Sequence, residues 1–263
     1  MNTITITTDF GLKDPYVAIM KGVIISINPN AHIWDITHEI KPGDIAEAAY
    51  ILREAYSFFP KGTIHVAVVD PGVGGKRRAI AIKTEDFFFV GPDNGIFWPI
   101  LEQSKNPLII HLTNKRYFLR EISTTFHGRD IFAPVAAHIS RGVDLKDMGY
   151  TIHDPVVLSI EKPLFLKDRI IGQVIRADYF GNLITNISGE DIMGKFGSKE
   201  GLEVEVAGIK ISGISKTYSD VPPGQLLAII GSSGFLEISA NMASAADIIG
   251  TAAKGLKILI KMG

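Results

Sequence analysis

The chain has 263 residues, enough for one large core or two smaller ones, since single cores stop growing near roughly 250–300 residues. With 27 basic against 28 acidic residues it lacks the basic excess of a nucleic-acid-binding surface, so no nucleic-acid partner is expected. The absence of cysteine excludes disulfides, thiolate metal sites and cysteine nucleophiles.

MNTITITTDFG lacks the charged-then-apolar layout of a secretory signal, and no apolar run approaches the ~20 residues of a membrane span. The sequence therefore predicts a cytoplasmic protein with no membrane association.

Thr3 to Asp9 alternates Thr and Ile and predicts a strand feeding the polar loop DFGLKDP. YVAIMKGVIISINP has helical apolar spacing and stops at Pro29; AHIWDI follows as a strand, GDIAEAAYILREAYSFFP as a helix and TIHVAVVD as a strand. RAIAIK and DFFFVG read as two more strands, GIFWPILEQ as a helix, PLIIHL as a strand, and STTFHGRDIFAPVAAHISRG as a loop turning helical near Arg129. This alternation predicts an α/β domain over residues 1–155 with a Rossmann-like parallel sheet.

The remainder changes character. IIGQVIRAD, NLITNIS, LEVEVAG, IKISGI, LLAIIG, FLEIS and KILIKM are short β-like runs between glycine turns, with MASAADIIG as the single helical candidate. A smaller, all-β, barrel-like domain over 165–263 is expected, joined through a linker near Asp154–Lys167.

VVDPGVGGKRR, Val68 to Arg78, invites a phosphate-loop reading, but that motif needs Gly at 70 and Ser or Thr at 77, where the chain has Asp70 and Arg77. A dinucleotide fingerprint fails too, because a strand follows the glycines where a helix is required. The N-terminal DFG has no lobe before it and is not a kinase motif.

What remains is a pattern of position. Asp9, Asp35 and Asp70 end the first three strands and Asp93 follows the DFFFVG strand, which puts four carboxylates at one rim of the predicted sheet, where open α/β sheets bind ligands. Each has a plainer reading: Asp before Pro-Gly is a favoured turn, and Arg77, Arg78 or His127 on a loop is commonly just solvated. Together Asp, Arg and His suffice to orient and deprotonate a water. A metal site from Asp9, Asp35, His38 and Asp70 is the competing arrangement, without an HExxH-type helix to support it.

DFGLKDPYVAIMKG, VVDPGVGGKRR, VGPDNG, TTFHGRDIFAP, ADYFGNLITNI and GSSGFLEI, taken in order from residue 9 to residue 238, resemble the S-adenosyl-L-methionine hydrolases (adenosine-forming), or SAM hydroxide adenosyltransferases, relatives of fluorinase and chlorinase. The resemblance implies attack of water on ribose C5′ of S-adenosyl-L-methionine, with no cofactor or metal, in a homotrimer whose sites lie between subunits. It places the catalytic triad on Asp70, Arg77 and His127. It places the ribose-diol carboxylate on Asp9, a methionine-end carboxylate on Asp14, an adenine-reading amide on Asn182 beside Asp178, methionine contacts on Ser232 and Glu237, and a main-chain adenine contact on Met242. Which of Asp70 and His127 takes the proton stays open, as does the choice between Arg77 and the adjacent Arg78 on spacing alone. Ser233 stands where the fluorinase pattern has arginine, and aromatic residues of that pattern are replaced here by Asp70 and His127, which points to water over halide. A SAM-dependent halogenase and a non-catalytic SAM- or adenosine-binding protein are the alternatives.

Overall fold

A computed structural model describes residues 2–159, 161–250 and 254–263. It divides into two compact units, Met1–Ser159 and Ile160–Gly263.

The first unit is a seven-stranded sheet. Its strands are β1 (Thr3–Thr8), β2 (His32–Thr37), β3 (Ile64–Val68), β4 (Ala79–Lys83), β5 (Phe88–Pro92), β6 (Leu108–Leu112) and β7 (Gly149–Thr151). The helices are α1 (Tyr16–Ile27), α2 (Ile45–Ala55), α3 (Trp98–Leu101) and α4 (Ala133–Ser140), the last entered through a π-helical turn, Gly128–Phe132.

Strand order is β2-β1-β3-β5-β4-β6-β7. β1 runs parallel to β2 and β3, and β3 parallel to β5. Helical crossovers set the first two pairings, because α1 and α2 carry the chain back to the starting end of the sheet before β2 and β3; β3 and β5 are parallel because the chain runs back through β4 between them.

The expectation of a parallel sheet fails beyond β5. β4 is antiparallel to both β5 and β6, and β7 is antiparallel to β6, so the sheet is mixed. The reason is connection length: β4 and β5 are separated only by the turn Thr84–Phe87, closed by a hydrogen bond from the Thr84 N–H to the Phe87 carbonyl. A turn that short cannot make a parallel crossover.

Residue parity sorts the core. Ile4, Ile6, Val66, Val68, Ala79, Ala81 and Val90 face Met20 and Ile24 of α1 and Val135 and Ile139 of α4. Ala67, Val69, Ile80, Ile82 and Phe89 face Ala48 and Leu52 of α2 and Ile100 of α3. Alternation along each strand thus buries both faces of the sheet, as crossover helices require. From β1 the chain moves out to β2 and then returns to β3 on the other side, so strand order reverses between β1 and β3, at whose carboxyl ends Asp9 and Asp70 follow; this is the position at which open α/β sheets bind ligands.

The second unit is antiparallel throughout its named strands: β8 (Leu164–Phe165), β9 (Arg169–Ala177), β10 (Leu183–Ser188), β11 (Leu202–Val206), β12 (Ile209–Ser212), β13 (Leu226–Ile230), β14 (Phe235–Ala240) and β15 (Lys257–Met262). The order β12-β11-β15-β9-β10-β14-β13, with β8 added on β9, wraps Val174, Leu183, Val204, Leu236, Ile238 and Ile258 inward. The Ser215 N–H, just past β12, donates to the Ala228 carbonyl of β13 at 2.7 Å, so the sheet is nearly closed and barrel-like.

Two helix expectations are corrected. MASAADIIG is not the only helix: alongside α6 (Ala245–Ile249), the segment Gly189–Phe196 forms α5. Its start was legible as Ser188-x-x-Asp191, a capping box in which each side chain satisfies the other's backbone N–H, and Gly197 ends it at φ 69°. GIFWPILEQ, read as a longer helix, keeps only the four residues of α3.

His65 of β3 is wholly buried, its ring 5.2 Å from Phe89 in a stacked pair and its Nδ1 2.8 Å from Thr5 Oγ1. Burial alone depresses its pKa from 6.5 to about 3. The stability that neutral His65 contributes is therefore complete above about pH 6.5 and is lost as pH falls toward 3, by roughly 4–5 kcal/mol in full. Urea denaturation of wild type and His65→Phe across this range should show the wild-type advantage shrinking as pH drops; a pH-independent difference would refute it.

Candidate active site

The turn after β3 is built on its acid and glycines. Asp70 accepts at its carbonyl from the Val73 N–H at 3.2 Å, and Gly72 accepts from the Gly75 N–H at 3.0 Å. Gly74 has φ 73°, and a Cβ there would stand 2.2 Å from the Thr124 carbonyl oxygen, so only glycine lets this turn lie against the segment before His127. The turn sends the chain back along β4 with Arg77 over Asp70.

Arg77 Nε donates to both Asp70 oxygens, at 3.0 and 2.9 Å, and Nη2 donates to Oδ2. Nη2 also lies 2.7 Å from His127 Nδ1. One planar guanidinium therefore spans the acid and the imidazole, with its central carbon 5.3 Å from the Phe132 ring centroid. The Asp70 side chain is 5% exposed and that of Arg77 11%.

Arg77 is a permanent donor, so His127 Nδ1 must accept and the neutral ring carries its proton on Nε2. The His127 pKa is lowered by burial first and by the Arg77 charge second, against the upward pull of Asp70, Asp130 and a backbone hydrogen bond at Ser123. The imidazole is thus held neutral around pH 7.

Adjacent Arg78 does the opposite job. Its Nε donates to Asp93 Oδ2 at 2.7 Å and its Nη1 to Asp154 Oδ1 at 2.8 Å. Buried Asp93 also accepts from the Val156 N–H at 2.8 Å. Alternation at the mouth of β4 sends the two arginines apart, Arg77 to Asp70 and His127, Arg78 to a clamp on the segment leaving β7.

Four carboxylates at one rim reduce to two. Asp35 lies inside β2, and its oxygens meet Lys21 Nζ at 2.6 Å and His38 Nε2 at 3.0 Å. Asp93 is occupied by Arg78. Asp9 remains beside the Asp70 turn: its Oδ2 accepts from the Gly43 N–H at 2.8 Å, and a Cβ on Gly43 would touch Pro71 at 3.9 Å. Asp14 is exposed in the loop before α1 and is not drawn into this group. Among the described residues no three His, Asp or Glu side chains are grouped to hold a metal ion, so Asp9, Asp35, His38 and Asp70 do not form one site.

The second unit carries the other predicted residues. Asp178 Oδ1 accepts from the N–H groups of Phe180 and Asn182, at 2.9 and 2.8 Å, and its Oδ2 accepts from Asn182 Nδ2 at 2.8 Å. The Asn182 amide is thereby fixed with its oxygen as the remaining acceptor. Gly181, at φ 83°, lets this turn pack on Ser244, where a Cβ would stand 2.1 Å from Oγ.

Asn182, Phe180, Tyr218, Ala240, Met242 and Ala243 line a cavity of about 510 Å³. Tyr218 donates to Glu237 Oε2 at 3.4 Å, and burial, followed by the Glu237 charge, raises its pKa. Ser232 is exposed in the β13–β14 turn, apart from the cavity lining, while the Ser233 hydroxyl is buried without a hydrogen-bond partner among the described residues. Met242 is 88% exposed at φ 52°, a strained backbone for a non-glycine residue. Sequence reasoning passed over Tyr218, Ser123 and Asp130; the first is an isolated tyrosine without a motif, and the last two lie in or beside the quoted TTFHGRDIFAP.

Comparison with known proteins gives matches along the chain. Residues 4–149 match the family model described as SAM hydroxide adenosyltransferase N-terminal domain, and residues 172–255 match its C-terminal domain. A protein of Methanocaldococcus jannaschii named (R)-S-adenosyl-L-methionine hydrolase is 38% identical over 95% of this chain and 92% of its own, and one of Salinispora tropica with the same name is 36% identical over 94% and 93%. The crystal structure of an uncharacterized conserved protein from Thermotoga maritima superposes with a TM-score of 0.92 at 38% identity, covering 98% of this chain and 99% of that one.

The electrostatics of the cluster set an expected outcome. Removing the cation in Arg77→Ala should move the His127 pKa upward toward its ordinary value, because the Arg77 charge disfavours the imidazolium. Imidazole proton signals followed by NMR against pH measure this; an unmoved or lower midpoint would contradict the assigned coupling.

Proposed function

The chain belongs to the SAM hydroxide adenosyltransferase family, and we infer that it is an enzyme that hydrolyses S-adenosyl-L-methionine to adenosine and L-methionine. The observation that carries this reading is the single guanidinium spanning Asp70 and His127 at the carboxyl end of β3.

The chemistry asks little of the leaving side. Water oxygen bonds to ribose C5′ as the C5′–S bond breaks, its electron pair returning to sulfur, so the sulfonium departs as a neutral thioether without a general acid. The proton of the attacking water needs an acceptor. His127 Nδ1 is occupied by Arg77, whereas each Asp70 oxygen keeps lone-pair capacity beyond its bonds to Arg77, so Asp70 receives the proton. Arg77 favours hydroxide character in the attacking oxygen, and His127 holds Arg77 in place. Alignment of water with the C5′–S bond supplies the rest, an effect worth roughly 7–11 kcal/mol in favourable cases.

The residues favour water over halide. A desolvated halide beside the Asp70 carboxylate would be repelled, whereas a water gains an acceptor there.

For binding, Asp9 takes the ribose diol, Asn182 beside Asp178 reads adenine with the Met242 main chain, and Ser232, Glu237 and Asp14 serve the methionine end. The aromatic and amide lining of the 510 Å³ cavity supports the adenine assignment. No cofactor is required beyond the substrate. The relatives' names support preference for the (R)-sulfonium epimer. The proposed working unit is a cytoplasmic homotrimer with sites between subunits; exposed Tyr179, Phe180 and Met242 around the Asn182 turn support burial by a neighbouring copy. The parallel run β2-β1-β3-β5 supports a Rossmann-like reading of a first domain over 1–155, with 165–263 as the second.

Incubation with each separated epimer, followed by chromatography, should give equimolar adenosine and methionine, faster from the (R) form and unchanged by chelator. In heavy-oxygen water the label should enter the adenosine 5′-hydroxyl. Asp70→Asn should lower kcat by on the order of 10²–10⁴-fold with little change in KM. Full activity in that variant would sink the mechanism, and equal epimer rates would sink the preference.

A further inference from the structure

The segment carrying His127 is held by a group that the scheme above leaves unused. Asp130 is fully buried in the π-helical turn that follows His127. Its Oδ2 accepts from both the backbone N–H and the hydroxyl of Ser123, each at 2.8 Å, and the Arg129 guanidinium closes on its two oxygens. The Ser123 hydroxyl accepts in turn from the Phe126 N–H at 3.0 Å. The N–H groups of Arg129 and Asp130 both return to the Phe126 carbonyl, at 3.1 Å. One carboxylate thus fixes the chain from Ser123 to the residue before His127.

A buried carboxylate is costly unless compensated. Burial by itself pushes the Asp130 pKa up, and the bonds from Arg129 and Ser123 outweigh it and hold the group ionised. A π turn is wider than an α turn and recurs at functional sites, and here it sets the direction in which the helix presents its first side chain. That side chain is His127, whose ring feels both the Asp130 charge and the Ser123 backbone. On the far side the same segment is pinned by Gly74 against the Thr124 carbonyl.

We propose that Asp130 is a positioning residue for the hydrolysis: by fixing Ser123 it seats the His127 ring with Nδ1 on Arg77. The proposal rests on the S-adenosyl-L-methionine hydrolase reading for its kinetic part and on geometry alone for its structural part. Without Asp130 the ring loses its fixed orientation, Arg77 loses one of its two partners, and the cation no longer sits squarely over Asp70. Small displacements of this kind cost on the order of 10²-fold in rate.

The test combines kinetics with nitrogen NMR of the imidazole in full-length Asp130→Asn and Ser123→Ala. Nitrogen shifts separate the two tautomers, and this readout does not depend on turnover. In wild type, His127 should show Nε2 protonated and Nδ1 as acceptor. Asp130→Asn should show mixed tautomers and a kcat lower by on the order of 10²-fold with KM nearly unchanged. Ser123→Ala should move both readouts in the same direction by less. Retention of the wild-type tautomer and kcat in both variants overturns the proposal. So does an Asp130→Asn chain that loses its fold while Ser123→Ala behaves as wild type, since Asp130 would then be purely structural. If wild-type protein fails to hydrolyse S-adenosyl-L-methionine, the functional reading falls, and the tautomer comparison still judges Asp130.

Discussion

Everything at the carboxyl end of β3 depends on one guanidinium having two different partners. A lysine ammonium is a point charge on a flexible stem, whereas the planar fork of Arg77 meets a carboxylate with two donors and still reaches an imidazole from one of them. Holding such a fork requires support from three directions: the acid below, the ring beside, and the face of Phe132 at 5.3 Å. The fold supplies these from two places in the chain: Asp70 from the turn after β3, and His127 and Phe132 from the two ends of the π turn that leads into α4.

The sheet's departure from a parallel pattern is part of this arrangement. Because β4 runs back antiparallel to β5, its first residues lie at the same end of the sheet as the last residues of β3, and Arg77 arrives beside Asp70. A helical crossover at this point would have carried the chain to the opposite end of the sheet. Arg78, one residue on, is directed to Asp93 and Asp154 and so ties the base of the turn to the end of β7. Two like charges in sequence are thereby separated in space, Arg77 to Asp70 and Arg78 to Asp93 and Asp154.

Much of this was legible in the chain. Thr-Ile alternation marked β1, Pro29 marked the end of α1, and period-two runs marked the strands of the second unit. The roles within VVDPGVGGKRR were less accessible, since spacing alone does not tell Arg77 from Arg78; strand parity at the start of β4 does. The four-acid rim failed because Asp35 falls inside β2, where Lys21 and His38 engage it, and Asp93 is taken by Arg78. The antiparallel turn of β4 was readable from the four residues before β5, and α5 from its Ser188–Asp191 box; both are short-range signals that the broader alternation masked. Asp130 had no such signal, because a buried acid inside a helical pattern declares its role only when its partners are seen.

The contact of Gly74 with the Thr124 carbonyl joins two loops that lie far apart in the chain. Its consequence is one of inheritance. A residue gained in either loop, or a side chain at position 74, shifts one wall of the site without the other, so the two segments can vary only as a matched pair. Exchanging one of them alone between homologues would give a chimera with its acid and imidazole out of step, while exchanging both would carry the pair across intact.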